Sequence, residues 1–356
     1  MNSKTPTQSQ FTIDGRHIAP DMPPYIIAEL SANHMGDFER AKEMVAAAVN
    51  AGADAVKLQT YEPSKITMDC DSDDFVIGDG LWSGQKYHDL YKEAMTPKEW
   101  HKPLFDYAHK LGATIFSSPF DLDAVDFLEE LDAPAYKIAS FELVDLELIK
   151  KCAATGKPMI MSTGLATPED IEDALIAAKS AGATQIALLH CISAYPAPAS
   201  AANLTTIQDM AGKYDLPIGL SDHTLTEAVP VAATALGAQI IEKHFTLSRS
   251  DGGADAAFSL EPHEFKRMAD AARIAHAALG APRYGPIDEE KISMQSRRSL
   301  YFNKDLPAGH IIGENDVVCV RPGYGLKPKH LASLHGKVLM REITRGEPTN
   351  WADFDV

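Results

Sequence analysis

At 356 residues, 45% of them hydrophobic, the chain is long enough for one large domain and a smaller companion. Its formal net charge of −17 speaks against nucleic acid or an anionic membrane surface as partner, though not against a small anion in a locally basic pocket. The four cysteines, Cys70, Cys152, Cys191 and Cys319, form no C-x-x-C pair, which argues against a disulfide framework or thiolate zinc site and favours a reducing, cytoplasmic setting.

In chain order, "MNSKTPTQSQ" is polar and no apolar h-region follows, so no secretory or transit signal is expected. Residues 1–24 read as a tail or hairpin. Eight strands are then expected to begin near Tyr25, Ala55, Ala113, Ala135, Pro158, Gln185, Pro217 and Gln239. Four follow Gly-Ala phrases ("NAGADAVKLQ", "KLGATIFSS", "SAGATQIALLH", "ALGAQIIEKH"), which makes Gly52, Gly112, Gly182 and Gly237 helix-terminating residues in left-handed conformation. Three more follow Pro134, Pro158 and Pro217. Amphipathic segments such as "PEDIEDALIAAKSA" separate most of them. Eightfold strand–helix alternation over 25–280 predicts an α/β fold, a (β/α)8 TIM barrel, with an open doubly wound sheet as the alternative. No membrane span is expected, because the run Ala228 to Ile241 is broken by Pro230 and Gly237 and falls short of about 20 residues.

Residues 281–296 are rich in Pro, Gly and charge and read as a linker. A small module over 297–356 carries an internal echo: Lys304, Asp305, Leu306, Gly309 and Asp316 recur as Arg341, Glu342, Ile343, Gly346 and Asp353. That pattern predicts a compact pseudo-symmetric unit.

Active sites of such barrels gather at the C-terminal ends of the strands, and every second strand residue faces the same way. Parity puts Glu29 with Ile27, Lys57 with Gln59, Ser221 with His223, and Glu242 with His244. Lys243 falls on the opposite face. Lys137, mid-strand between Tyr136 and Ile138, is costly to bury unless an anion pairs with it. Lys57, Lys137, Ser140, Ser162 and Ser221, with the turn at Gly164, are expected to form a phosphate or carboxylate pocket. His34 and His190 read as structural. His223 and His244 end consecutive strands with inward parity, and two neutral imidazoles suit a divalent metal such as Mn²⁺, Co²⁺ or Zn²⁺ acting as a Lewis acid.

These residues sit in ordered stretches, "IIAELSANHMG", "ADAVKLQTY", "FSSPF", "AYKIASFE", "STGLAT", "LLHCISAYP", "GLSDHT", "IEKHF" and "FSL", that resemble the sialic acid synthase family. "RRSLYFNKDLPAGHII" through "VRPGYG" resembles its C-terminal antifreeze-like (SAF) module. "ELSANH", "GDGLW", "TPKEW" and "YKIASFE" resemble the pseudaminic acid synthase branch, whereas "LLHCISAYP" resembles the sialate branch. The resemblance implies condensation of phosphoenolpyruvate with an open-chain N-acetylated amino sugar, giving a nonulosonic acid and phosphate. For the pseudaminic branch the acceptor is 2,4-diacetamido-2,4,6-trideoxy-L-altrose.

It further implies a divalent cation (Mn²⁺, Mg²⁺ or Co²⁺) at His223 and His244. Glu29 would act at the cationic centre or orient water, and Lys57, Lys137, Ser140, Ser162 and Ser221 would hold phosphoenolpyruvate. Gln59, Tyr195 and Asp255 would contact the acceptor or metal-bound water. Arg321 would serve the partner's barrel in a domain-swapped homodimer, and Trp82 and Phe141 would supply an apolar wall for a 6-deoxy sugar. The alternatives are an N-acetylneuraminate or legionaminic acid synthase and a non-catalytic carbohydrate-binding protein.

Overall fold

A computed structural model describes residues 11–355, so the first ten residues of the expected tail lie outside the described part. The rest of that segment is a two-stranded antiparallel hairpin, β1 (Phe11–Ile13) and β2 (Arg16–Ile18). Eight parallel strands then close into a barrel: β3 (Tyr25–Glu29), β4 (Ala55–Thr60), β5 (Thr114–Pro119), β6 (Tyr136–Ile138), β7 (Met159–Ser162), β8 (Ile186–Cys191), β9 (Ile218–Asp222) and β10 (Ile240–His244), with β10 pairing back onto β3. Each starts within one residue of its expected position, and the open sheet is excluded by that closure.

Local chemistry sets the helices between them. Asp37 caps Phe38–Asn50 by accepting from the amides of Glu39 and Arg40, and Thr167 with Asp170 forms a capping box on Pro168–Ser180. Gly52, Gly112, Gly182 and Gly237 all take positive φ, between 73° and 107°, where side chains other than glycine are strained.

Two apolar layers follow from the strand alternation. Outward residues such as Ile26, Val56, Ile115, Leu220 and Ile241 pack beneath the helices. Inward residues at the lower ends of the strands, including Ile27, Ala55, Phe116, Ile160, Leu189 and Ile240, join Phe11, Ile13 and Ile18 of the hairpin in one buried plug. Inside this plug β9 carries Gly219, where a Cβ would fall 2.4 Å from the Ile240 carbonyl oxygen and 2.6 Å from Leu189. Only glycine fits.

Residues 281–356 form a second compact unit, described by itself. Its first part, expected as plain linker, contains short helical turns over Asp288–Glu290 and Lys291–Met294. Strands β11 (Ser299–Phe302) and β12 (Val317–Val320) pair antiparallel over a core that includes Leu300, Phe302, Leu306, Leu339, Ile343 and Phe354. The echo in the sequence is a symmetry of structure. Leu306 and Ile343 exchange both backbone hydrogen bonds, at 3.0 and 2.9 Å. The Lys304–Asp316 ion pair (2.7 Å) has its counterpart in Arg341–Asp353 (2.8 Å).

Candidate active site

Above the apolar plug the inward side chains turn polar. Four charged groups meet in a buried layer: Lys57 from β4, Lys137 from β6, Glu29 from β3 and Glu242 from β10. Lys57 Nζ lies 2.5 Å from Glu29 Oε2 and 3.8 Å from Glu242 Oε1. Lys137 Nζ lies 3.6 Å from the same Glu242 oxygen and donates to Ser162 Oγ at 2.7 Å. Serines complete the layer. Ser221 Oγ donates to Glu242 Oε1 at 3.1 Å, and Lys57 Nζ donates to Ser118 Oγ at 3.2 Å.

Two lysines and two carboxylates balance one another, so the layer survives burial that would exclude any one of them alone. Burial pushes the Glu29 carboxyl up, with Lys57 opposing and Glu242 reinforcing that shift. At Lys137 burial also wins and its pKa falls, against the pull of Glu242. Glu242 moves down: burial raises it, but Lys137 and Lys57, with the Ser221 hydroxyl and His223, outweigh burial. Glu242 Oε2 and Glu142 Oε2 are buried oxygens with no hydrogen-bond partner among the described residues.

Gln59, expected to contact the acceptor or metal-bound water, donates to Oε1 of Glu29, expected at the cationic centre, at 3.0 Å. Ser140 accepts from the Gly164 amide at 3.1 Å, which occupies the amide expected to face a phosphate. A Cβ at Gly164 would fall 2.2 Å from Ser193 Oγ and 2.7 Å from Ser140 Oγ, so glycine here lets two hydroxyls converge.

One layer nearer the mouth stand the histidines. The rings of His223 and His244 are 5.2 Å apart. His223 Nδ1 bonds the Ile192 carbonyl oxygen at 2.9 Å, and His244 Nδ1 pairs with Ser31 Oγ at 3.2 Å. Both Nε2 atoms are thereby left for a ligand. Burial, and then the neighbouring His223, hold His244 well below its ordinary pKa and keep it neutral. This donor set fits one divalent cation, whose remaining positions substrate or water would have to fill. Among the described residues no group of three or more His, Cys, Asp or Glu side chains is arranged to hold a metal ion.

Asp255 is half-buried near these rings, with Oδ2 3.5 Å from the Ala32 amide and Ser31 as a side-chain partner. Burial raises its pKa. An aromatic wall stands beside them. The Tyr195 ring is 4.5 Å from His223 and 5.0 Å from Phe258, and Phe258 is 4.9 Å from His244. Trp82 extends the wall, 6.1 Å from Tyr195, with its indole N–H on the Ala254 carbonyl oxygen at 3.1 Å. Phe141 does not share that wall. It is 59% exposed on the turn Ser140–Val144, where no strand fixes its direction.

The structural readings of other residues hold. Lys243 is fully buried on the outer face against Asp222. His190 Nε2 bonds the Ala202 carbonyl oxygen, and His34 packs edge-on against Trp100. Arg321 belongs to the second unit and is exposed there. Residues missing from the expected site are Glu242, Ser118, Ser31 and Glu142. Parity placed Glu242 inward, but its position between two lysines depends on distances across the barrel. Glu142 lies on an irregular turn with no periodic signal; burial pushes its carboxyl up to about 7, with Lys137 and Lys57 pulling the other way.

Fold and site together define a barrel enzyme with a buried charged layer in its lumen and two imidazoles above it. The chain belongs to the NeuB family, whose pattern matches residues 44–284, and it carries a SAF domain over residues 297–355. It is 43% identical to a pseudaminic acid synthase of Campylobacter jejuni, over 93% of this chain and 96% of that protein. It is 34% identical to an N,N'-diacetyllegionaminic acid synthase of Legionella pneumophila, over 93% of this chain and 94% of that one. The crystal structure of an N-acetylneuraminic acid (sialic acid) synthetase from Leptospira borgpetersenii, in complex with citrate, superposes with a TM-score of 0.72. It is 31% identical and covers 81% of this chain and 95% of its own.

Proposed function

We propose that the chain is a pseudaminic acid synthase, condensing phosphoenolpyruvate with 2,4-diacetamido-2,4,6-trideoxy-L-altrose to give pseudaminic acid and phosphate. The observation that carries this is the buried layer of Lys57, Lys137, Ser162 and Ser221 directly below two imidazoles and an aromatic wall. Higher identity to a pseudaminic than to a legionaminic acid synthase favours that acceptor.

Phosphoenolpyruvate sits on Lys57 and Lys137, with Ser140 and Ser162 as hydroxyl donors and Ser221 turning its hydroxyl from Glu242 to the anion. Lys57 already pairs with Glu29, so the arriving anion and Glu29 share one ammonium. Its methylene carbon attacks the acceptor aldehyde, leaving positive charge on the carbon that bears phosphate. Glu29, its proton affinity raised by burial, stabilises that centre and takes the proton of the water that adds there. The resulting tetrahedral intermediate expels phosphate by carbon–oxygen cleavage. Gln59, Tyr195 and Asp255 orient the acceptor. A divalent cation (Mn²⁺, Mg²⁺ or Co²⁺) on His223 and His244 would supply Lewis-acid polarisation of the aldehyde.

The linker 281–296 carries the SAF module to the barrel of a second copy, in a swapped homodimer where Arg321 completes the partner's site. In support, Phe141, Val144, Leu165 and Leu225 leave an apolar rim on the loops after β6, β7 and β9, the kind of surface a capping module buries. No described helix is long and apolar enough to cross a membrane, and the setting we propose is the cytoplasm.

The test is phosphate release from phosphoenolpyruvate with a panel of acceptors, before and after chelation. The expected result is turnover with the 2,4-diacetamido sugar, lost on chelation and restored by metal. Preference for N-acetylmannosamine or the legionaminic precursor would move the enzyme to that branch. No phosphoenolpyruvate-dependent turnover with any acceptor would leave only a carbohydrate-binding role.

A further inference from the structure

On the outer face of β9 and β10, behind the two histidines, Asp222 and Lys243 stand directly opposite each other in the strand register. Lys243 is 0% and Asp222 3% exposed, and Nζ lies 2.5 Å from Asp222 Oδ2. The same ammonium donates to the Thr224 carbonyl oxygen. Asp222 Oδ1 accepts from the Thr224 amide at 3.0 Å, and Oδ2 accepts from the Thr224 hydroxyl at 3.0 Å. One buried network therefore grips the residues on both sides of His223 and the residue just before His244.

The surroundings make this pair unusual. Ile218, Leu220 and Ile241 occupy the same outer face and belong to the apolar core beneath the helices. A position that only needed filling would be served better by a hydrophobic side chain, because two buried charges rarely repay their desolvation. What an ion pair adds is one fixed geometry. β9 ends at Asp222, so His223 lies just past the last strand residue. Its backbone is held from outside by the Asp222–Thr224 turn and from the neighbouring loop by the Ala197 amide, which donates to its carbonyl oxygen at 3.0 Å.

We propose that Asp222 and Lys243 are positioning residues that set the mutual geometry of the His223 and His244 imidazoles from behind the barrel wall. They touch no substrate. The inference rests on the reading of those imidazoles as a metal-binding pair, and its test separates the two.

The test compares full-length wild type, the apolar double variant Asp222→Leu/Lys243→Met, the milder Asp222→Asn, and His223→Ala. Cobalt(II) alone is the metal probe, read by titration and by its visible absorption bands. Imidazole ¹⁵N signals of histidine-labelled, metal-free protein report the ring environments without any metal. The double variant is expected to melt close to wild type, to bind cobalt(II) on the order of tenfold more weakly, the range seen when support behind metal ligands is removed, and to shift the His223 and His244 signals. A folded double variant with wild-type cobalt affinity and unshifted signals would overturn the proposal. If the double variant does not fold, Asp222→Asn carries the same readouts. It should lose cobalt affinity severalfold and shift the same signals; unchanged values overturn the idea. If His223→Ala binds cobalt(II) like wild type, the metal reading fails and the metal-free signals alone decide: shifted signals support the clamp and unshifted ones refute it.

Discussion

Replacing Lys137 by methionine keeps an unbranched side chain one heavy atom shorter and removes its charge. The ammonium lies 3.6 Å from Glu242 Oε1, a separation at which two unit charges attract by about 5 kcal/mol at an effective dielectric constant of 20. Most of that does not appear as lost stability. The buried lysine no longer has to be desolvated, and Glu242 keeps Ser221 and Lys57. Lys137 is also the largest charge holding Glu242 down, so without it Glu242 takes up a proton more readily. A net loss of about 1–3 kcal/mol is expected. Phosphoenolpyruvate keeps Lys57 and the serines but loses one of its two ammonium partners. Losing a charge-assisted hydrogen bond of about 1.5–3 kcal/mol raises Kd roughly tenfold to a hundredfold. Calorimetric titration with phosphoenolpyruvate alone, beside thermal unfolding, separates the two effects. Lys57→Met should lose affinity similarly but unfold earlier, because Lys57 has Glu29 at 2.5 Å as well as Glu242 at 3.8 Å. A folded Lys137→Met variant that bound phosphoenolpyruvate within twofold of wild type would refute the pocket assignment.

Glu142, raised to about 7 by burial, binds a proton more tightly folded than unfolded, so its stabilising effect is full below about pH 4.5 and is lost as pH rises through about 7. Glu142→Gln should therefore flatten stability across that window and stabilise the fold at pH 8 by up to about 3 kcal/mol, read by denaturant titration at several pH values; an unchanged pH slope argues against it. Trp82→Ala opens the wall beside Tyr195 and should raise KM for the 2,4-diacetamido acceptor several-fold while leaving phosphoenolpyruvate affinity near wild type. Equal loss for both substrates would place Trp82 elsewhere in the mechanism. Arg321→Ala and His223→Ala, each nearly inactive, should recover roughly a quarter of wild-type activity once mixed and reassembled, because half the dimers then hold one intact site. No recovery after demonstrated subunit exchange means that Arg321 serves its own chain.

Period and punctuation carried the barrel: Gly-Ala phrases and prolines marked where each strand begins, and alternation assigned its faces. The same alternation separated Lys243 from its neighbours Glu242 and His244, and brought the two imidazoles together, because on a parallel barrel adjacent strand ends are adjacent in space. What it cannot convey is distance across the lumen. Glu242 contacts Lys57 and Lys137 from strands that are not its neighbours, so its role depended on the diameter of the closed barrel. Loops were harder still. Trp82 and Phe141 read alike in sequence, yet one packs beside Tyr195 and the other is exposed on a turn.

The hairpin that stops the lower end of the barrel also dictates traffic. With Phe11, Ile13 and Ile18 filling that end, the charged layer is approached from the C-terminal ends of the strands, where the histidines stand. A sugar that arrived first would bar the way to the lysines beneath. On the proposed assignment, phosphoenolpyruvate is expected to enter before its partner. Dead-end inhibitors would register that order: a non-reacting sugar analogue should be competitive with acceptor but uncompetitive with phosphoenolpyruvate, and a non-reacting anion analogue should compete with phosphoenolpyruvate alone.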